Sequence, residues 1–97
     1  MIMTRRYKTI YLNAPGARQV FIAGTFNDWN PTCLPMQLTG EGEWTAHVAL
    51  TPGHHEFKFV VDGKWCCGFD ANGPVDGGDC CVPNPYGTMN RVLNVPA

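Results

Sequence analysis

Apolar and polar residues alternate in short blocks along this chain, and glycine- and proline-rich turns separate the blocks. Alternation at every second residue is the mark of a strand with one buried face. Tyr7 to Asn13 alternates and stops at Ala14-Pro15-Gly16. Gln19 to Ala23, rich in β-branched and aromatic residues, stops at Gly24, and Met36 to Thr39 forms a short strand before Gly40-Glu41-Gly42. Trp44 to Leu50 ends at Pro52-Gly53, His54 to Val61 ends at Asp62-Gly63, and Lys64 to Cys66 follows. Gly68 to Asp79 reads as a Gly/Asp/Cys-rich loop, and Thr88 to Val95 as the last strand. No segment has the periodicity of an amphipathic helix. Short strands with Gly/Pro punctuation predict an all-β fold, an antiparallel sandwich.

The same alternation assigns faces. Trp44, Ala46, Val48 and Leu50 share one side of their strand, with Thr45, His47 and Ala49 on the other. Trp44 is therefore expected in the core. His55, Phe57, Phe59 and Val61 form the core side of the next strand, opposite His54, Glu56, Lys58 and Val60. Asp62-Gly63 between apolar runs is a strong signal for a two-residue hairpin. Such a turn pairs Val61 with Lys64, Val60 with Trp65 and Phe59 with Cys66. Directly paired residues share a face, so Trp65 falls on the mostly polar side, beside Lys58. In the last strand Met89, Leu93 and Val95 look inward, with Arg91 an exception, while Tyr86, Thr88 and Asn90 share the outer side.

Trp29 lies in the turn sequence TFNDWNP, among residues that favour tight loops. Together with Trp65 and Lys58 it can form one surface, lined by Tyr86, Thr88 and Asn90. Exposed aromatics in company mark a binding site. Flat rings beside hydrogen-bonding side chains suit a sugar, whose C–H face packs on the ring while its hydroxyls take directional partners. The alternative is that Trp29 folds back as a lid and Trp65 fills an edge gap, since single exposed apolar residues are ordinary.

Composition narrows the field. Ninety-seven residues predict one domain over 1–97, with its core from about 7 to 95. A chain of this length buries about 60–70% of its unfolded surface, enough for one modest core without a deep catalytic cleft. The net charge is −1 and the seven Lys and Arg are scattered, which argues against nucleic acid. No apolar run approaches membrane-spanning length, and MIMTRRYK does not open a secretion signal. The expected compartment is the cytoplasm. Glycoside cleavage needs a pair of carboxylates, and Glu56 is the one acid on the polar face of a strand. The three histidines have no serine in the chain to activate. A non-catalytic protein without cofactors is expected.

Three stretches, VFIAGTFNDWNP, GEGEWTAHVALTPGHHEFKFVVDGKW and VPNPYGTMNRVLNV, resemble the starch- and glycogen-binding modules of carbohydrate-binding module family 48. That family includes the glycogen-binding domain of the AMP-activated protein kinase beta subunit and the modules preceding the barrels of branching and debranching enzymes. The resemblance runs from about Tyr7 to Val95. It implies an immunoglobulin-like β-sandwich that binds α-glucan. Trp29 and Trp65 match the stacking tryptophans, Lys58 the hairpin lysine, and Thr88 and Asn90 the Gly-Thr-x-Asn pair. Tyr86 stands where the kinase domain carries an aliphatic residue that reaches into the sugar ring. With no catalytic domain attached, recruitment of a separately encoded glycogen-metabolism enzyme or kinase to glycogen is a further expectation. A regulatory protein-interaction module that kept the fold and lost the sugar, with a redox- or metal-responsive cysteine loop, is the other reading.

The stretch CCGFDANGPVDGGDCC, residues 66 to 81, departs from the family pattern. Cys66, Cys67, Cys80 and Cys81 can form a disulfide clamp, although a cytoplasmic setting opposes it. Adjacent strand cysteines point to opposite faces, which makes a poor zinc site. Asp70, Asn72, Asp76 and Asp79 only loosely match a calcium loop. Small buried thiols in a plain loop are the remaining reading. The hairpin pairing puts Cys66 inward and Cys67 outward, and Cys33 is the odd cysteine in a turn.

Overall fold

A computed structural model describes residues 6–70, 72–75 and 81–96. Ten strands follow in order among the described residues: β1 (Arg6–Asn13), β2 (Val20–Gly24), β3 (Gln37–Leu38), β4 (Glu43–Leu50), β5 (Gly53–Val61), β6 (Lys64–Cys66), β7 (Gly68–Asp70), β8 (Gly73–Val75), β9 (Cys81–Pro83) and β10 (Met89–Val95). One sheet has the order β1-β4-β3, and the other β2-β5-β10-β9 with β6 also on β5. All pairings between these strands are antiparallel. No helix among the described residues is long and apolar enough to cross a membrane.

The two sheets close on a shared core as an immunoglobulin-like sandwich. Ile10, Leu12, Trp44, Ala46, Val48 and Leu50 come from the first sheet, and Val20, Ile22, Phe57, Phe59, Val61, Cys66 and Val95 from the second. Of these, alternation predicts Trp44, Ala46, Val48, Leu50, Phe57, Phe59, Val61, Cys66 and Val95, whereas Met89 and Leu93, also expected inward, are only half-buried. Interdigitating inner faces are what hold a sandwich of this kind together. Trp44 is 6% exposed, and its indole N–H donates to the Ala14 carbonyl at 3.3 Å, so its polar handle is satisfied inside. Arg91 is accommodated on the inner side by placing its guanidinium 5.8 Å from the Phe59 ring centroid and donating to the Cys67 carbonyl at 3.2 Å.

The Asp62-Gly63 turn has the expected register, with Val61 opposite Lys64, Val60 opposite Trp65 and Phe59 opposite Cys66. Both turn residues have positive φ, 48° and 86°, as a type I′ turn requires. The Asp62 carboxylate also accepts the backbone N–H groups of Arg18 and Gln19, each at 2.9 Å, which pins the hairpin to the entry of β2.

Beyond β6 the structure departs from the sequence reading. The segment read as a loop contains the β7–β8 hairpin, and Cys81–Pro83 adds a strand to β10. Cys67 does not face outward; it is fully buried. Its backbone N–H donates to Val75 and its thiol to the Met89 carbonyl, both at 2.8 Å. The chain turns here from pairing with β5 to pairing with β8, so alternation carried forward from β6 no longer applies. His55, expected in the core, is half-buried at its rim, with Nε2 2.8 Å from the Thr51 carbonyl. Asp76, Asp79 and Cys80 lie outside the described residues.

Truncating the core and truncating the outer face should differ. Trp44→Ala is expected to cost about 3–5 kcal/mol as a core cavity, read as a lower urea midpoint in equilibrium unfolding. A loss below about 1 kcal/mol would contradict the packing given to Trp44.

Candidate functional site

β5 is the strand on which the site is built. One of its edges pairs with β2 along Phe57–Val61. The opposite edge is shared end to end: β10 covers Gly53 to Phe57, and β6 covers Phe59 to Val61. Lys58 lies between the two neighbours. On the outer face, Glu56 and Lys58 therefore sit where the sheet changes partner, and a recess opens there.

The turn after β2 forms one wall. The Asn27 side chain accepts the Gly24 N–H at 2.8 Å and donates to the Ile22 carbonyl at 3.0 Å. The Gly24 carbonyl accepts the N–H groups of Asn27 and Trp29, at 3.1 and 2.9 Å. Gly24 itself cannot be larger, because a Cβ there would lie 2.6 Å from the Glu56 carbonyl oxygen and 2.7 Å from the Phe57 Cβ. Asp28 and Trp29 are held in the left-handed region, at φ 56° and 57°. A bulky residue there is costly and persists only where its surroundings demand it.

The β9–β10 connection forms the opposite wall. The Asn84 N–H donates to the Thr88 carbonyl at 2.9 Å, and the Asn84 side-chain oxygen accepts the N–H groups of Tyr86 and Thr88 at 2.9 and 3.2 Å. The Asn84 amide nitrogen donates to Thr88 Oγ1 at 2.7 Å and Asn90 Oδ1 at 2.9 Å. Asn90 donates in turn to Glu56 Oε1 at 3.1 Å, and Lys58 Nζ to Thr88 Oγ1 at 3.3 Å.

All six residues singled out from the sequence line one pocket of about 730 Å³: Trp29, Lys58, Trp65, Tyr86, Thr88 and Asn90. Thr25, Glu56, Asn84 and Pro85 line it as well. Trp65 is 45% and Tyr86 90% exposed, whereas Lys58 and Asn90 are each 6% exposed. The outer surface assigned from the sequence is thus three rings, Trp29, Trp65 and Tyr86, around a nearly buried polar floor. Buried polar groups need hydrogen-bond partners, which the Thr88 and Asn84 side chains help to supply.

The sequence reading missed Glu56 and Asn84. Alternation already put Glu56 on the face of Lys58, but its partners come from elsewhere. Asn84-Pro85-Tyr86-Gly87 carries a turn signature, with no local sign that the asparagine also organises Thr88 and Asn90. Hydrogen bonds from Asn90, and then from His54 Nε2 at 3.1 Å, hold the Glu56 carboxyl below the ordinary carboxylate value, against the effect of partial desolvation. Among the described residues, no three of His, Cys, Asp and Glu converge as a metal site would require.

The geometry defines a β-sandwich module with an aromatic-walled, polar-floored recess on the outer face of one sheet. The profile of the family described as "Glycogen recognition site of AMP-activated protein kinase" matches residues 9–97, and the chain belongs to that family. The chain is 33% identical over 87 residues to the 5'-AMP-activated protein kinase subunit beta-2 of Mus musculus and of Homo sapiens. It is 31% identical over 87 residues to the subunit beta-1 of Sus scrofa. These matches cover 90% of this chain, but 28% of each beta-2 relative and 62% of the beta-1 relative.

The depressed Glu56 pKa has a defined sign. A carboxylate stabilised in the folded state contributes stability above its unfolded pKa, and that contribution is lost as pH falls through the lower folded value. Between about pH 5 and pH 3, the melting temperature should therefore fall more steeply for the parent than for Glu56→Gln. Parallel curves would sink this assignment.

Proposed function

We propose that this chain is a non-catalytic α-glucan-binding module for glycogen, starch or maltooligosaccharides. Glucose rings stack on Trp29 and Trp65, and their hydroxyls hydrogen-bond Lys58, Thr88 and Asn90. The observation that carries this reading is convergence. Six residues from the turn after β2, from β5 and β6, and from the β9–β10 region line one recess. Family membership supports a glucan as the ligand. The Tyr86 ring, at the exposed lip, offers a third stacking face.

A binding role also fits the acids. Hydrolysis uses two carboxylates about 5 to 9.5 Å apart across the scissile bond, whereas Glu56 is the only Asp or Glu among the described residues lining this pocket. A module of this kind acts by holding its partner, a glycogen-metabolism enzyme or a kinase, at the polysaccharide in the cytoplasm. Its relatives carry the name of a kinase subunit.

Trp29→Ala and Trp65→Ala should each weaken binding to maltoheptaose by about 1–2 kcal/mol, or roughly 5- to 30-fold, with the fold retained. Isothermal titration, with far-UV circular dichroism as the fold control, measures this. The parent should sediment with glycogen but not with cellulose. Parental affinity in both folded variants would remove the stacking platform. A parent that sediments with neither polysaccharide would leave the protein-interaction reading in its place.

A further inference from the structure

The polar floor of the pocket forms a chain of side chains whose direction is dictated from both ends. At one end, the backbone N–H groups of Tyr86 and Thr88 can only donate, so Asn84 must offer them its oxygen. Its nitrogen then faces Thr88 Oγ1 and Asn90 Oδ1. At the other end, the Glu56 carboxylate can only accept, so Asn90 must offer it Nδ2. The two constraints agree on one orientation of the Asn90 amide, and reversing it would set oxygen against carboxylate and nitrogen against nitrogen. The His54 imidazole closes the outer end on Glu56 Oε2.

We propose that Asn84 and Glu56 are positioning residues that fix the hydrogen-bond polarity the pocket presents to a sugar. This rests on the glucan-binding reading above. Thr88 Oγ1 accepts from both Lys58 Nζ and Asn84 Nδ2. Its two lone pairs are used, and its hydroxyl hydrogen is left as a donor. Asn90 keeps one N–H and one oxygen lone pair beyond those used by Glu56 and Asn84. The recess thus offers one fixed donor next to a fixed donor–acceptor pair. That pattern suits a neutral diol, with neighbouring hydroxyls that accept at one oxygen and donate at the next. The opposite charges of Glu56 and Lys58 offset one another in the floor, which suits a ligand without net charge.

The test reverses the chain. Asn84→Asp keeps an oxygen for the backbone N–H groups but sets another oxygen against Asn90. Asn90 then has to turn its oxygen toward Glu56. Both the melting temperature and the maltoheptaose affinity should fall, the affinity by about tenfold or more. Adding Glu56→Gln lets the new amide donate to the turned Asn90, so the chain is consistent again but runs the other way. The double variant should regain melting temperature over Asn84→Asp while its affinity stays about tenfold or more below the parent. A purely structural role predicts that affinity returns with stability. Parental affinity in Asn84→Asp, no recovery of melting temperature in the double variant, or recovery of affinity along with it would each overturn the proposal. If the parent itself binds no maltoheptaose, the glucan reading fails, and the two melting temperatures still decide whether the polar chain exists.

Discussion

Alternation along β5 ties the core of this protein to its pocket. Phe57, Phe59 and Val61 point into the sandwich, and Glu56, Lys58 and Val60 point out between them. A one-residue slip would send lysine and glutamate into the core and phenylalanine into the recess. The apolar burial that stabilises the sandwich therefore also sets the depth and order of the polar floor. Two further devices hold this register. The type I′ turn at Asp62-Gly63 admits only one pairing of β5 with β6, and the Asp62 carboxylate ties that turn to Arg18 and Gln19.

The pocket walls depend on backbone conformations that the sandwich does not itself require. Trp29 is kept at φ 57° by a small network in which Gly24 accepts two N–H groups and Asn27 bridges Gly24 and Ile22. This turn is locked to β5 through the Thr25 N–H, which donates to the Glu56 carbonyl at 2.9 Å. Strain of this sort is tolerated where it aims a side chain. The Trp29 ring is consequently set from β2 and β5 together, and the Trp65 ring from β5 through β6. Both rings thus depend on β5.

Local pattern made β1 to β6 and β10, most of the inward set, the hairpin register and all six pocket residues legible in the sequence. Each rests on alternation, on a two-residue turn, or on motif order. What stayed hidden depends on partners distant along the chain. Lys58 shows as a polar-face residue, but its burial comes from β10 and β6 meeting end to end, which no local window contains. Cys67 breaks the pattern because the chain changes partner at that residue, from β5 to β8. Arg91 among apolar neighbours becomes intelligible only when the Phe59 ring stands beneath it. Asn84 looks like a turn former, and it is one; its second task uses the amide nitrogen, about which turn propensity says nothing.

A neutral ligand explains why such a floor is needed. Glucans carry no charge, so the protein, with a net charge of −1, gains no electrostatic steering toward them. Each sugar hydroxyl is already well solvated in water, so a hydrogen bond to the protein gains about 0.5–1.5 kcal/mol net at most. A mispaired contact costs about 1–3 kcal/mol. Under those magnitudes, discrimination comes from groups that cannot reorient to suit a wrong partner. Asn90, clamped between Glu56 and Asn84, and Thr88, clamped between Lys58 and Asn84, are such groups. On the proposed reading, stacking on Trp29 and Trp65 supplies area along the polymer, and the clamped floor supplies the geometry that decides which polymer fits.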